Sequence, residues 1–318
     1  MKFMIGASDS TLPPGIDWTA AVPSRSGLLA EKGIEKCDTH KCIVTAAAGD
    51  SRGPVHSPAG LSRRFESPYV VSFESKAARE RILSIRGEPL LIADWGKVLM
   101  IHYEVNAAAL QRVTPFELDL CDGRAFVSVV AFTLCGMRPY FGGRLAAWLM
   151  KPIATHEFLN VRTYVRKGNE SGIYFMTEWL SNRLSVALGP IFFGLPYRHG
   201  RIQYEGLTGA VRDSSGAGDF SYSGTFEGNG SALHCEGGTL AEWLMERYTA
   251  FTYFRGVRRF FRVWHVPWEQ RAVNVFIRDQ SLLEGRWPFM RKATIIGANY
   301  SPGARNVWMG RPHRCGLS

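Results

Sequence analysis

Residues 157–180 read EFLNVRTYVRKGNESGIYFMTEWL. Two runs rich in β-branched and aromatic residues flank the polar, glycine-containing segment from Lys167 to Gly172, and the pattern predicts an antiparallel hairpin. On a strand, alternate residues share a face. Glu157, Leu159, Val161, Thr163 and Val165 lie one way on the first arm, and Phe158, Asn160, Arg162, Tyr164 and Arg166 lie the other. The aliphatic row requires a core. The row of Asn160, Arg162 and Tyr164 has two readings. Against water it is an ordinary polar face. Against the lumen of a closed sheet it is an anion grip, because a guanidinium offers forked donors to a carboxylate. A barrel gives each strand two faces that are both enclosed, which suits a strand of this kind.

The neighbouring segments extend the pattern. KVLMIHYEV, from Lys97, is a strand, and Asn106 caps a short helix that Pro115 stops. Asp122-Gly123 sits between two β-prone runs and predicts a tight hairpin. GGRLAAWLMKP is a short helix, and SNRLSVALGPIFFG is a second with Ser181 as its cap. Thr239 and Glu242 form a capping-box pair at the head of TLAEWLMERYTAFTYF, which reads as a helix. VRRFFRVWHV and RAVNVFI are late strands. Hairpins and isolated helices are mixed without β-α-β alternation. The expected class is therefore α+β, a mainly antiparallel sheet closed into a barrel, cone-shaped or otherwise, with peripheral helices. Residues 1–70 are dominated by Gly, Pro, Ser and Ala and read as an irregular extension, leaving 71–318 as one barrel domain.

The chain has 318 residues, a formal charge of +10 and an apolar fraction of 46%, enough for a substantial core. No apolar run reaches the ~18 residues of a membrane span. The N-terminus is a poor secretory signal, so the cytoplasm is the expected compartment. Cys37, His40 and Cys42 are three soft ligands in one loop with no second pair to complete a zinc site, so no metal or other cofactor is expected. P-loop, nucleophile-elbow and His-Glu-x-x-His patterns are absent. Arginine and aromatic residues are mixed on both faces of YFRGVRRFFRVWH, which argues against a nucleic-acid stacking platform. Two further clusters carry polar chemistry. Tyr197, Arg198 and His199 follow the Gly194-Leu195-Pro196 turn, and His265 precedes the Pro267-Trp268 corner. Each also has a plain structural reading, as a bend and as a satisfied core histidine.

Five separated stretches, FELDLCDGRAFVSVVAFTLCGMRP, HEFLNVRTYVR, FGLPYRHGRI, LAEWLMERY and HVPW, together resemble the YqjF-like bacterial family, over about residues 90–300. That family in turn resembles acetoacetate decarboxylase, whose cone-shaped antiparallel barrel encloses a ligand cavity. Those enzymes carry Gly-x-Pro-Lys-Lys at the turn. The first lysine forms a Schiff base and the second lowers its pKa. Tyr197 and Arg198 stand at those positions here, so the imine route is not expected. The resemblance implies a barrel that binds a small anionic or carbonyl-containing molecule, acting on an oxo or hydroxy acid by lyase- or hydratase-type acid–base chemistry. Glu157, Tyr197 and His199 are the candidate acid–base groups, and Asn160, Arg162, Arg198 and His265 the candidate ligand contacts. The alternatives are a non-catalytic sensor or carrier, and a basic surface protein for nucleic acid or acidic lipid. Pairing of hairpin edges between copies, giving a homo-oligomer, is a further expectation.

Overall fold

A computed structural model describes residues 73–316. The sequence-predicted extension over 1–70, with Cys37, His40 and Cys42, lies outside the described residues. The long strands are β1 (Leu91–Val105), β3 (Ala125–Pro139), β4 (His156–Lys167), β5 (Glu170–Leu180), β12 (Glu269–Asp279) and β13 (Thr294–Met309). Shorter ones are β2 (Glu117–Leu118), β6 (Tyr197–Glu205), β7 (Thr208–Asp213), β8 (Asp219–Phe226), β9 (Leu233–His234), β10 (Thr249–Phe254), β11 (Val257–Trp264) and β14 (His313–Arg314). The helices are α1 (Phe73–Leu83), α2 (Ala107–Gln111), α3 (Gly143–Met150), α4 (Arg183–Phe192), α5 (Leu240–Met245) and α6 (Ser281–Arg286).

Nine strands close on themselves in the order β1-β3-β4-β5-β6-β7-β8-β12-β13 and back to β1. Strands β10 and β11 bridge the same sheet a second time, β10 pairing with β5 and β11 with β13. A ring of seven strands, β1-β3-β4-β5-β10-β11-β13, is therefore also closed. Among the described residues every strand pairing is antiparallel except β5–β10 and β5–β6.

Strands β3 and β4, common to both rings, are buried on both faces, which is why AFVSVVAF in β3 reads as a continuous run rather than an alternation. Val127, Val129 and Ala131 of β3 join Leu159, Val161 and Val165 of β4 in one core, together with β7, β8 and α6. Phe126, Val130 and Phe132 of β3 join Phe158 and Tyr164 of β4 in the other, inside the seven-strand ring.

Three local expectations need correction. Asp122 and Gly123 do form a tight turn, with φ of 51° and 74°, the signature of a type I′ turn. Its arms pair only at Cys121 and Arg124, because β2 pairs with β4 instead of β3. The α4 cap is Asn182, whose side chain accepts from Ser185 N, while Ser181 Oγ donates to Glu157 Oε2 at 2.6 Å. Thr239 caps α5, but that helix stops at Met245, and Thr249–Phe254 is strand. Thr249, Phe251 and Thr252 of that run are buried and the strand pairs with β5 and β11, and this packing overrides the helical start.

Gly172 shows how tightly the second ring closes. A Cβ there would overlap the carbonyl oxygen of Thr249 at the β5–β10 junction. Gly172→Ala should therefore cost about 2 kcal/mol by overpacking. Gly297→Ala in β13, where a Cβ meets nothing within 4 Å, should change stability by less than about 0.5 kcal/mol. Denaturant melts of the two variants test this, and equal effects would count against the close junction.

Candidate functional site

The seven-strand ring holds a cavity of about 80 Å3. Strand register places its polar lining. Met100, Val130, Asn160, Glu178 and Tyr197 are successive cross-strand partners, one each from β1, β3, β4, β5 and β6. One row further along, Ser128 and Phe175 flank Arg162. The far wall carries Arg247, between α5 and β10, and His265 and Trp268, which follow β11. Above the cavity lies an apolar pocket of about 600 Å3 bordered by α4 and by residues next to α3. Phe158, Leu195, Tyr197, Phe261, Leu134 and Met309 line both, so the outer pocket sits directly on the inner one.

Arg162 is 7% exposed, and among the described residues it makes no ion pair. Its Nη2 reaches Leu244 O and Met100 Sδ, each at 3.4 Å, and its Nε has no partner. Asn160 Oδ1, Glu178 Oε2 and Arg247 Nη2 are likewise buried without hydrogen-bond partners. Four unpartnered polar atoms on residues lining one cavity make an arrangement suited to a polar guest, since buried polar atoms are paired nearly everywhere else in proteins.

Beneath Arg162 runs a directed hydrogen-bond chain. Tyr164 OH donates to Leu244 O at 2.9 Å. It must then accept from Ser128 Oγ, 2.6 Å away. Ser128, its proton committed, accepts from His102 Nδ1 at 2.7 Å. The terminal carbonyl thus fixes the tautomer of a histidine three groups away. Leu244 O lies in the last turn of α5, where helix carbonyls lack helical partners. It receives Tyr164 and Arg162 together, and so orients the guanidinium.

The sequence candidates divide. Asn160, Arg162, Tyr197 and His265 line the cavity. Glu157, Arg198 and His199 do not. Glu157 shares the Leu159 side of β4 and accepts from Ser181. Arg198 pairs in register with Trp179, on the side that packs against α6, and its charge acts on Arg286. His199 Nδ1 contacts Ser214 Oγ at 2.6 Å.

Over residues 92–302 the chain matches the family DUF2071, described as "Uncharacterized conserved protein". It belongs to that family. Protein YqjF of Bacillus subtilis (strain 168), described as uncharacterized, is 29% identical over 181 residues, which span 55% of this chain and 72% of that protein. Among solved structures, an acetoacetate decarboxylase-like enzyme from Sphingomonas wittichii RW1 is 15% identical with a TM-score of 0.48, over 72% of this chain and 94% of that one. The acetoacetate decarboxylase of Legionella pneumophila is 12% identical with a TM-score of 0.46, over 71% of this chain and 87% of that one.

In this DUF2071 protein, burial sets the protonation of the lining. Desolvation pushes the Glu178 carboxyl up to about 8, so near neutrality it is an uncharged acid and a donor. Burial, and then the neighbouring Glu178, raise Tyr197 well above the usual phenol range. His265 is held below the ordinary imidazole value, first by burial and in smaller part by Arg162, against the opposing pull of Glu246. Its ring is engaged by backbone on two sides, with Nδ1 2.8 Å from Val266 O and a further backbone hydrogen bond to Arg247. His102 is lowered to about 3 by burial and then by Arg162. Of the two arginines in the lining, Arg247 is paired with Asp119 at 2.9 Å, and Arg162 has no ion-pair partner among the described residues.

Sequence reasoning missed Glu178, Arg247 and Trp268 as members of this lining. Alternation along β5 would send Glu178 out with Tyr174 and Met176. An irregularity between the pairs Val161–Thr177 and Arg162–Phe175 leaves Met176 without a partner on β4. That extra residue reverses the alternation and turns Glu178 inward. No local sequence signal marks it. Arg247 lies in the run that reads as a continuing helix, and Trp268 in the corner that follows His265.

The raised Glu178 value makes stability depend on pH with a definite sign. The folded state holds this proton up to about 8, against an ordinary value of 4.5. Its contribution is fully present below about 4.5 and is lost as pH rises through about 8. The melting temperature of Glu178→Gln, relative to the unmodified chain, should therefore climb between pH 5 and pH 9. A constant difference across that range would mean that Glu178 is ionised throughout.

Proposed function

We propose that the inner cavity binds the carboxylate end of a small oxo or hydroxy acid and acts on it by acid–base chemistry, without a covalent amine. The observation that carries this reading is the Arg162 guanidinium, deeply buried and without an ion-pair partner among the described residues. An uncompensated buried charge is costly, and an anionic guest relieves it. The free Nε–H of Arg162 would donate to the carboxylate in a charge-assisted hydrogen bond.

Glu178 and Tyr197, neighbours across β5 and β6, then supply two neutral donors for the carbonyl or hydroxyl oxygen of the guest. Glu178 carries the proton to be delivered, and its value near neutrality suits a general acid. His265, on the opposite wall, is the group we assign as base for a proton on the carbon next to the carbonyl, once its ring gives up a backbone contact. Among the residues lining the inner and outer pockets there is no lysine. An arginine stays protonated and cannot replace the amine of an imine mechanism. The 600 Å3 apolar pocket favours a guest with a hydrocarbon body, and it is also the feature that favours the second reading, a carrier that binds such an acid without changing it.

Thermal-shift titration with a panel of 2-oxo, 3-oxo and hydroxy acids and their amides should select acids over amides. Arg162→Gln should weaken the best acid by about 2 kcal/mol or more, at least roughly thirtyfold. Deuterium exchange at the carbon beside the carbonyl, followed by NMR in heavy water, should be catalysed and should be lost in Glu178→Gln. Amides binding as well as acids, or unaltered affinity in Arg162→Gln, would refute the anion site. Binding with no exchange would leave the carrier. Borohydride with a bound oxo acid should label no lysine.

A further inference from the structure

Eight of the sixteen exposed large hydrophobic side chains among the described residues fall within 140–149 and 184–192. The most exposed are Phe141, Leu145, Trp148, Leu149, Ile191 and Phe192, at 61–69%. Leu145, Trp148 and Leu149 stand at the i, i+3, i+4 spacing of one helical face on α3. Phe192 on α4 also lines the outer pocket, as do Met150 and Ile153 at the end of α3. The apolar surface therefore surrounds the mouth of that pocket. Apolar side chains this concentrated on a folded surface mark an interaction site.

The charges around the mouth are all of one sign. Residues 136–156 and 179–204 contain no Asp or Glu. Arg144, Lys151, Arg183 and Arg311 are exposed, and none of their side chains forms an ion pair among the described residues, although the buried Glu88 accepts from Arg311 N at 3.2 Å. Arg311 itself lines the outer pocket.

We propose that this face docks on an anionic lipid bilayer, with the α3 and α4 side chains entering the headgroup layer and the mouth of the outer pocket facing the membrane. Exposed Trp, Phe and Leu beside unpaired Arg and Lys are the chemistry of interfacial attachment. Each cation near an anionic surface adds to the attraction. A second copy of the chain, placed face to face on the same patch by a two-fold axis, would bring these cations against their own kind with no carboxylate between them. Among the described residues no helix is long and apolar enough to cross a membrane, so docking is at the surface. This inference does not depend on the chemistry of the inner cavity and survives if that reading fails.

Co-sedimentation of the full chain with vesicles tests it. Phosphatidylcholine alone should bind little, and a mixture with about a third phosphatidylglycerol should bind well and release the protein at high salt. The pair Arg144→Glu and Lys151→Glu should lower partitioning about tenfold or more. Trp148→Ser with Leu149→Ser should lower it similarly while leaving the charge unchanged. Lys167→Glu with Arg258→Glu makes the same charge change at a separate basic surface and should have little effect. No binding to anionic vesicles overturns the proposal, as does an equal loss from the control pair, which would mean bulk charge alone. A dimer in sedimentation analysis that Trp148→Ser with Leu149→Ser dissociates would make a second copy the occupant instead. Preferential binding to mixed oligonucleotides over vesicles would likewise overturn it. All substituted residues are at the surface, and unchanged melting temperatures establish that the variants fold.

Discussion

The sheet formed by β1, β3, β4 and β5 is enclosed on both faces, and the rest of the molecule is arranged to meet that constraint. A strand with one wet face can leave alternate residues polar. These strands cannot, because β6, β7, β8 and β12 close over one side and β10 and β11 over the other. Hydrocarbon fills most of the first side, from Leu99 and Val127 to Val161 and Phe220. The second side is treated differently. There the same strands carry His102, Ser128, Asn160, Arg162 and Tyr164 into the interior. Polar groups in such a place are stable only when hydrogen-bonded or matched by a guest.

The two halves of that polar set are handled by different means. His102 Nδ1, Ser128 and Tyr164 are linked in a chain that ends on the carbonyl of Leu244. Arg162 shares that carbonyl but keeps its Nε free. A self-contained network of neutral groups thus supports a cation whose own hydrogen bonding is incomplete. Burial first, and Arg162 in smaller part, hold His102 and His265 below the ordinary imidazole value, while the second arginine of the lining, Arg247, is paired with Asp119. The lower network stiffens the floor of the cavity, and the guanidinium gives the cavity its sign.

How much of this was legible follows from what each strand requires. The two-faced reading of β4 was available because its alternation is unbroken from Glu157 to Arg166, and the structure has Phe158, Asn160 and Arg162 on one side with Leu159 and Val161 on the other. The barrel class was available for the same reason, from long runs with apolar residues at both parities. Glu178 was not available. A single unpaired residue in β5 inverts its direction, and the position of such a residue is set by how the twisted strands fit together, not by local preference. Arg198 and His199 share a turn with Tyr197, yet proximity in sequence says nothing about face. On β6 neighbouring side chains point to opposite sides, and His199, although at the parity of Tyr197, stands beyond the cavity beside Leu180.

The turn at Gly194-Leu195-Pro196 joins the two pockets. Gly194 takes φ of +73°, and a Cβ there would press on Arg259 and Thr252, so the chain reverses in a space that admits only glycine. Leu195 is buried, and the Tyr197 ring lies against Gly189 of α4, where again no side chain fits. These two glycines seat one phenol between the polar cavity and the apolar mouth. Its hydroxyl neighbours Glu178 on one side, and its ring packs edge-on against Phe158 on the other, with centroids 5.9 Å apart. A guest passing inward exchanges contact with hydrocarbon for contact with donors at this residue. On the proposed reading, the turn sets the boundary at which an amphiphilic molecule would change its surroundings. The geometry of the boundary comes from backbone that only glycine permits, and the chemistry on its polar side comes from strands whose other face is closed.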